Sequence, residues 1–203
     1  VETITSGDLE TNIVDRSSSR EVSHLSNGII AMKDSIRGKI NDIEVINASY
    51  ERFVPKEFLT LLQKKSIIDV EIGDNSSLEM SVLFSDMRNF TMISEKLSPQ
   101  QSFKFLNNYL DKMTPAINDS QGFIDKYIGD AIMALFPNEP DDAVQAAIEM
   151  NKALKLLNKD KASDHVNMGI GIHMGTLVLG TIGKDTRMET TVLSDTVNSS
   201  ARL

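Results

Sequence analysis

Two aspartates interrupt apolar runs where a carboxylate is out of place. Asp86 sits in Val82-Leu83-Phe84-Ser85-Asp86-Met87-Arg88-Asn89-Phe90-Thr91, and Asp130 in Tyr127-Ile128-Gly129-Asp130-Ala131-Ile132-Met133-Ala134-Leu135-Phe136. A charge bounded by Val, Leu, Ile and Phe lies where water is scarce, and leaving it unpaired is strongly unfavourable. A cation would offset that cost. Acidic residues at strand ends beside a glycine turn suit hard divalent cations, which take oxygen ligands and also hold phosphate oxygens. Singly, neither residue says much: an Asp after Gly is more often a turn residue than a ligand. The question is whether the chain brings the two together.

The elements needed to do so can be read from the pattern. Residues 78–85 predict a strand. Ser98-Pro99 predicts an N-cap with proline at the first helical position, opening a helix to about residue 119. Residues 123–128 and 131–136 predict two short strands around Gly129-Asp130, a β-hairpin. Pro140-Asp141-Asp142 opens a second helix to about Asn158, with Val144, Ala147, Ile148, Ala153 and Leu154 on its buried face. Val166–His173 and Leu177–Ile182 predict another strand pair. Thr190–Leu193 predicts a further strand, with Asp195 capping a helix that starts at Thr196. Upstream, Val54-Pro55 ends a long helix, Lys56–Lys64 can form a short one, and Gly73-Asp74-Asn75-Ser76-Ser77 is turn chemistry. Strand, helix, hairpin, helix and further strands make an α+β layer fold of ferredoxin type. In that topology the hairpin tip lies beside the end of the first strand, so Asp86 and Asp130 converge.

Bulk properties narrow the function classes. The chain has 203 residues, 40% hydrophobic and 25% charged, as in an ordinary soluble globular protein. Its apolar runs fall far short of the ~20 residues of a membrane span, and it opens in polar sequence without a signal-peptide pattern. With no cysteine it has neither disulfides nor thiolate metal sites, which fits a reducing cytosol. A net charge of −8 argues against nucleic acid as a partner. An acidic protein that binds an anionic nucleotide needs metal ions and a few placed cations. His24, His165 and His173 form no cluster, and the ten methionines fall mostly at core-like positions.

The front third is amphipathic. Val22, Leu25, Ile29, Met32, Ile36, Ile43, Ile46, Tyr50 and Phe53 follow a heptad rhythm with one skipped position, Lys39 beside Gly38. That predicts a parallel coiled coil or bundle, with a weak point at Gly38-Lys39. Ser17-Ser18-Ser19 offers an N-cap, and Ser6-Gly7 a helix stop. Gly7-Asp8-Leu9-Glu10, a connector ending near Ile13-Val14, and Glu21-Val22-Ser23-His24-Leu25 with Met32 resemble the second half of a HAMP linker, although Arg20 stands where an acidic residue is common. The resemblance implies a partial HAMP-like linker over 1–37, a signalling coiled-coil helix over 38–54, and the cytoplasmic output end of a membrane-anchored sensor.

From about residue 53 to the last residue, the chain resembles a class III nucleotidyl cyclase, the adenylyl/guanylyl cyclase catalytic domain. Three motifs carry the resemblance: Phe84–Thr91, with Asn89 where glycine is common; Phe123-Ile124-Asp125-Lys126-Tyr127-Ile128-Gly129-Asp130; and Arg187–Arg202, through Thr190-Thr191-Val192-Leu193-Ser194-Asp195-Thr196-Val197-Asn198. It implies that Asp86 and Asp130, with the Met87 carbonyl, hold two Mg2+ or Mn2+ ions per site. It implies that backbone amides around Asn89, Phe90 and Thr91 cradle phosphates, and that Asn198 and Arg202 orient the ribose and stabilise the transition state. Lys126 and Thr191 match the base-reading pair. An ammonium can donate to adenine N1 and a hydroxyl can accept from the 6-amino group, whereas guanine calls for an acidic reader, so the pair implies ATP.

The implied protein is a homodimeric adenylate cyclase that makes cyclic AMP and pyrophosphate. Asp86 and Asp130 would come from one chain, and Lys126, Thr191, Asn198 and Arg202 from the other. Ser194 and Ser199 are mild departures. The larger one is that the family's domain continues past this arginine, so residues 55–203 are expected to form a cyclase domain lacking its C-terminal part and a lysine that meets the triphosphate. The rivals are a guanylate cyclase and a catalytically inactive dimerising relay. A diguanylate cyclase is disfavoured, because no Gly-Gly-Asp/Glu-Glu-Phe run occupies the hairpin.

Overall fold

β1 (Asn75–Arg88) is buried without alternation from Met80 to Ser85, so it must be covered on both faces. The computed structural model, which describes residues 20–50, 52–159, 165–184 and 186–201, shows how. The chain divides into two units, residues 1–53 and 54–203. In the second unit β1 is central to a five-stranded antiparallel sheet of order β2-β3-β1-β4-β5, built from β2 (Phe123–Ile128), β3 (Ala131–Phe136), β4 (Asn167–Lys184) and β5 (Arg187–Leu193). The first four strands have the ferredoxin order, and β5 extends the β4 edge.

One face carries Leu83, Met87, Ile132, Ala134 and Phe136, and is covered by α4 (Pro99–Asn118) and α5 (Pro140–Leu157). On the opposite face Met80, Val82, Phe84, Leu177 and Leu179 pack with Phe58 and Leu62, at α2 (Lys56–Leu61), and with Val197 of α6 (Asp195–Ser200). The helix starts follow their capping chemistry. Ser98 Oγ accepts from the Gln101 N–H at 3.3 Å and Gln101 Oε1 accepts from the Ser98 N–H at 2.9 Å, a reciprocal box ahead of Pro99. Asp142 closes α5 by accepting from the Glu139 N–H at 3.2 Å.

Several expectations need correcting. Residues 166–182 are not a strand pair: β4 is one 18-residue strand, with Gly175 in the ladder opposite Met80. The Met174-Gly175-Thr176 stretch mimics a turn, but the glycine serves a close approach, because a Cβ there would strike the Thr196 side chain. On α5 the buried face is Ala143, Ala146, Met150 and Leu154, while Val144 and Ile148 are exposed. Small alanines let the helix lie close to the sheet and turn the branched residues outward. α6 is capped by Ser194, whose Oγ accepts from the Thr196 N–H at 3.0 Å, not by Asp195.

In the first unit α1 (Arg20–Tyr50) runs unbroken through Gly38 and Lys39. Val22, Leu25, Met32, Ile36, Ile43, Ile46 and Tyr50 are all exposed along it. The residue 6–7 stop and the Ser17–Ser19 cap lie outside the described residues. No helix among the described residues is long and apolar enough to cross a membrane.

Candidate active site

The hairpin tip does the positioning. Gly129 has φ +65°, and Asp130 beside it is not in the left-handed region, as in a two-residue loop with glycine at its first central position. Because β3 pairs with β1 in the register Ser85↔Ile132, the tip overhangs the end of β1. There the Asp130 carboxyl comes under the influence of both the Met87 backbone N–H and the Asp86 carboxyl. The two aspartates do meet. Burial raises the Asp130 carboxyl above its usual range, the neighbouring Asp86 charge adds to the rise, and backbone N–H groups, including that of Met87, oppose it.

Two carboxylates crowded in a partly desolvated corner are the donor set a hard divalent cation fits, since its charge would relieve the repulsion that raises Asp130. Among the described residues no group of three His, Cys, Asp or Glu forms a metal cluster, so any further oxygens must come from backbone, water or ligand.

The following turn is shaped by Asn89, at φ +62°. A left-handed residue is what the chain needs to leave β1 and enter α3 (Phe90–Ser94), and asparagine tolerates that region better than most non-glycine residues. No side chain caps α3. Phe90 is half-buried against the helix-side core, while Thr91 is exposed.

Lys126 lies four residues before Asp130. Its Nζ donates to the Thr190 carbonyl at 3.3 Å and sits 3.6 Å from Glu189 Oε1. The outermost strands, β2 and β5, are therefore bridged, which requires the sheet to curl. Thr191 is the next residue on β5, half-buried; the contact from Lys126 goes to its neighbour's backbone. Asn198 is exposed on α6, which is held to β4 by a 2.7 Å bond from Ser194 Oγ to the Thr176 carbonyl. Asp86 pairs with Gly169, whereas α6 packs at Gly175. Those six residues make about 20 Å of extended strand. Within one chain Asn198 is not brought to the carboxylates. Arg202 lies outside the described residues.

Residues 72–203 match the family model of the adenylate and guanylate cyclase catalytic domain. The chain belongs to this family. An adenylate cyclase of Anabaena cylindrica is 38% identical over 208 residues, covering 98% of this chain but 41% of that protein, so the chain spans well under half of this relative. Among solved structures, a bacterial light-regulated adenylyl cyclase superposes with a TM-score of 0.70 at 26% identity, over 84% of this chain and 52% of that one. The guanylyl cyclase Cya2 superposes with a TM-score of 0.57 at 35% identity, over 65% and 71%.

Other groups beside the site of this cyclase domain carry no sequence signal of their own. Tyr109, fully buried on α4, donates to Met168 Sδ at 3.1 Å. Burial pushes its hydroxyl up to about 12; Ser85 opposes the rise, and the charges of Asp130 and Asp86 add to it. Ser85 Oγ is itself buried with no well-formed hydrogen bond. Both are buried polar groups in the interior close to the carboxylates. Arg88 shares a strand face with Asp86, and its guanidinium lies over Gly169, the residue opposite Asp86, where a Cβ would stand 2.6 Å from Nη2. These roles depend on packing between distant segments, which residue spacing does not reveal.

Proposed function

We propose that this chain is an adenylate cyclase catalytic domain that converts ATP to cyclic AMP and pyrophosphate at the interface of a homodimer. The observation that carries the reading is the convergence of Asp86 and Asp130, with the Asp130 carboxyl raised by burial and by its partner. Asp86, Asp130 and the Met87 carbonyl would hold two Mg2+ or Mn2+ ions, which when bound neutralise triphosphate charge and acidify the ribose 3′-hydroxyl. The protein's own part is to align that hydroxyl with the α-phosphorus. The hydroxyl gives its proton to solvent, the O3′–P bond forms, the bond to pyrophosphate breaks, and pyrophosphate leaves with the electron pair. Lys126 donates to adenine N1, with Thr191 accepting from the 6-amino group. Amides of the Asn89-Phe90-Thr91 turn and the Arg88 guanidinium face the phosphates. Asn198 and Arg202 orient the ribose and offset developing charge.

A shared site is supported by the separation of Asn198 from the carboxylates within one chain. It is also supported by Ile172, Met174 and Ile182, which share a face of β4 and are exposed. The exposed heptad positions of α1 suit a parallel partner helix. A sensor upstream would act by rotating the two halves into or out of register.

Guanylate cyclase is the second reading, favoured by one observation: the acidic Glu189 beside Lys126 could accept from guanine N1–H. Cyclic nucleotide formation from ATP and from GTP with Mn2+, by this chain and by a C-terminally extended form, separates the two. ATP turnover abolished by Asp86→Ala supports the proposal. Faster GTP turnover, silence of both forms, or activity indifferent to Asp86→Ala contradicts it.

A further inference from the structure

β2 loses register against β3 between Ile124 and Lys126, so Asp125 is an extra residue, a β-bulge. In an unbroken strand successive side chains point to opposite faces. The bulge instead brings Asp125 and Lys126 together, with Oδ2 3.7 Å from Nζ. The Asp125 side chain is 1% exposed, and its Oδ2 has no hydrogen-bond partner. At that distance the contact is an ion pair and not a hydrogen bond. Burial raises the Asp125 carboxyl, the Lys126 ammonium draws it back, and Glu189 adds to the rise. Desolvating two such charges often exceeds what their attraction returns, so the pair is a poor device for stability.

We propose that Asp125 is a positioning residue for the nucleotide base: it fixes the Lys126 ammonium in one place, and that fixity separates adenine from guanine. The inference rests on Lys126 being the base reader. Three acceptors surround Nζ: the Thr190 carbonyl at 3.3 Å, Glu189 Oε1 at 3.6 Å and Asp125 Oδ2 at 3.7 Å. The Glu189 side chain is 60% exposed, so water screens its attraction, whereas Asp125 acts where screening is weak. A lysine stem is flexible. An unheld Nζ can swing to guanine O6, which also accepts a hydrogen bond. A held one meets adenine N1 and sets donor against donor at guanine N1–H.

The test is Asp125→Asn, with Lys126→Met and the double variant, assayed for kcat and KM with ATP and GTP in this chain and in a C-terminally extended form. Asp125→Asn should raise the KM for ATP and narrow the ATP:GTP ratio of kcat/KM by roughly tenfold, the scale of a charge-assisted contact, with kcat little changed. In the Lys126→Met background the same substitution should have no further effect, because its action runs through Lys126. Additive effects, an unchanged ATP:GTP ratio, or a fall in kcat alone overturns the inference. If the amide variant does not fold, Asp125→Ser in the same cycle gives the same readings. If Lys126→Met alone leaves base preference untouched, the base-reader assignment fails instead, a result distinguishable from failure of the Asp125 role.

Discussion

Asp130 is a carboxyl group whose charged form the folded protein disfavours, because it is partly desolvated and faces Asp86. Its folded pKa is raised above the unfolded value. It therefore contributes stability that is fully present below the unfolded pKa and is lost as pH rises through the folded one. Asp125 is raised in the same direction and adds to the trend. Metal-free protein should thus show a component of stability that falls as pH rises above the ordinary carboxylate range. Asp130→Asn should raise the melting temperature of the metal-free form at neutral pH, and Mn2+ or Mg2+ should stabilise the wild type by mass action and the variant much less. Thermal melts with chelator or metal across that pH range check this; equal melting of the wild type with and without metal would contradict it. The convergence of Asp86 and Asp130 was legible in the sequence because each stands in a local motif that breaks an apolar pattern. Asp125 was not, although it lies in the same motif as Lys126, because the bulge that buries it depends on how β2 pairs with β3.

At the scale of elements, the turn after β1 depends on one backbone conformation. Asn89 at φ +62° can be replaced by glycine without strain, whereas a β-branched residue there is an outlier. Asn89→Gly should leave stability within about 0.5 kcal/mol of wild type or improve it, and Asn89→Val should cost roughly 1–3 kcal/mol. Denaturant melts of the two variants make the comparison, and equal midpoints would contradict it. Helix starts at Ser98-Pro99 and Pro140 were readable because caps and proline act locally. So was the hairpin, whose turn residues and flanking apolar runs agree. The long β4 was not, since Gly175 reads as a turn until Thr196, twenty-one residues later, packs against it. The buried face of α5 was misjudged for a related reason: alanines face the sheet because closeness there outweighs side-chain size, and Val144 and Ile148 are left outside.

At the scale of the whole molecule, the ferredoxin order brings Asp130 to Asp86, and the curl of the sheet brings Lys126 to β5, but α6, which carries Asn198, packs on β4 some 20 Å of strand from the residue opposite Asp86. A site that joins Asn198 to the carboxylates would therefore take two chains. Asp86→Ala and Asn198→Ala remove groups that belong, in that arrangement, to opposite sides of each site. Each variant alone should be inactive. In a mixed dimer one site carries both defects and the other carries neither. Random mixing of equal amounts should then restore about a quarter of wild-type cyclic AMP formation, because half of the dimers are mixed and each has one intact site. Measuring cyclic AMP from the two variants, alone and mixed after co-expression, is the most direct test. Recovery near that level is the predicted result, and a mixture as silent as its components, beside an active wild type, would contradict the shared site.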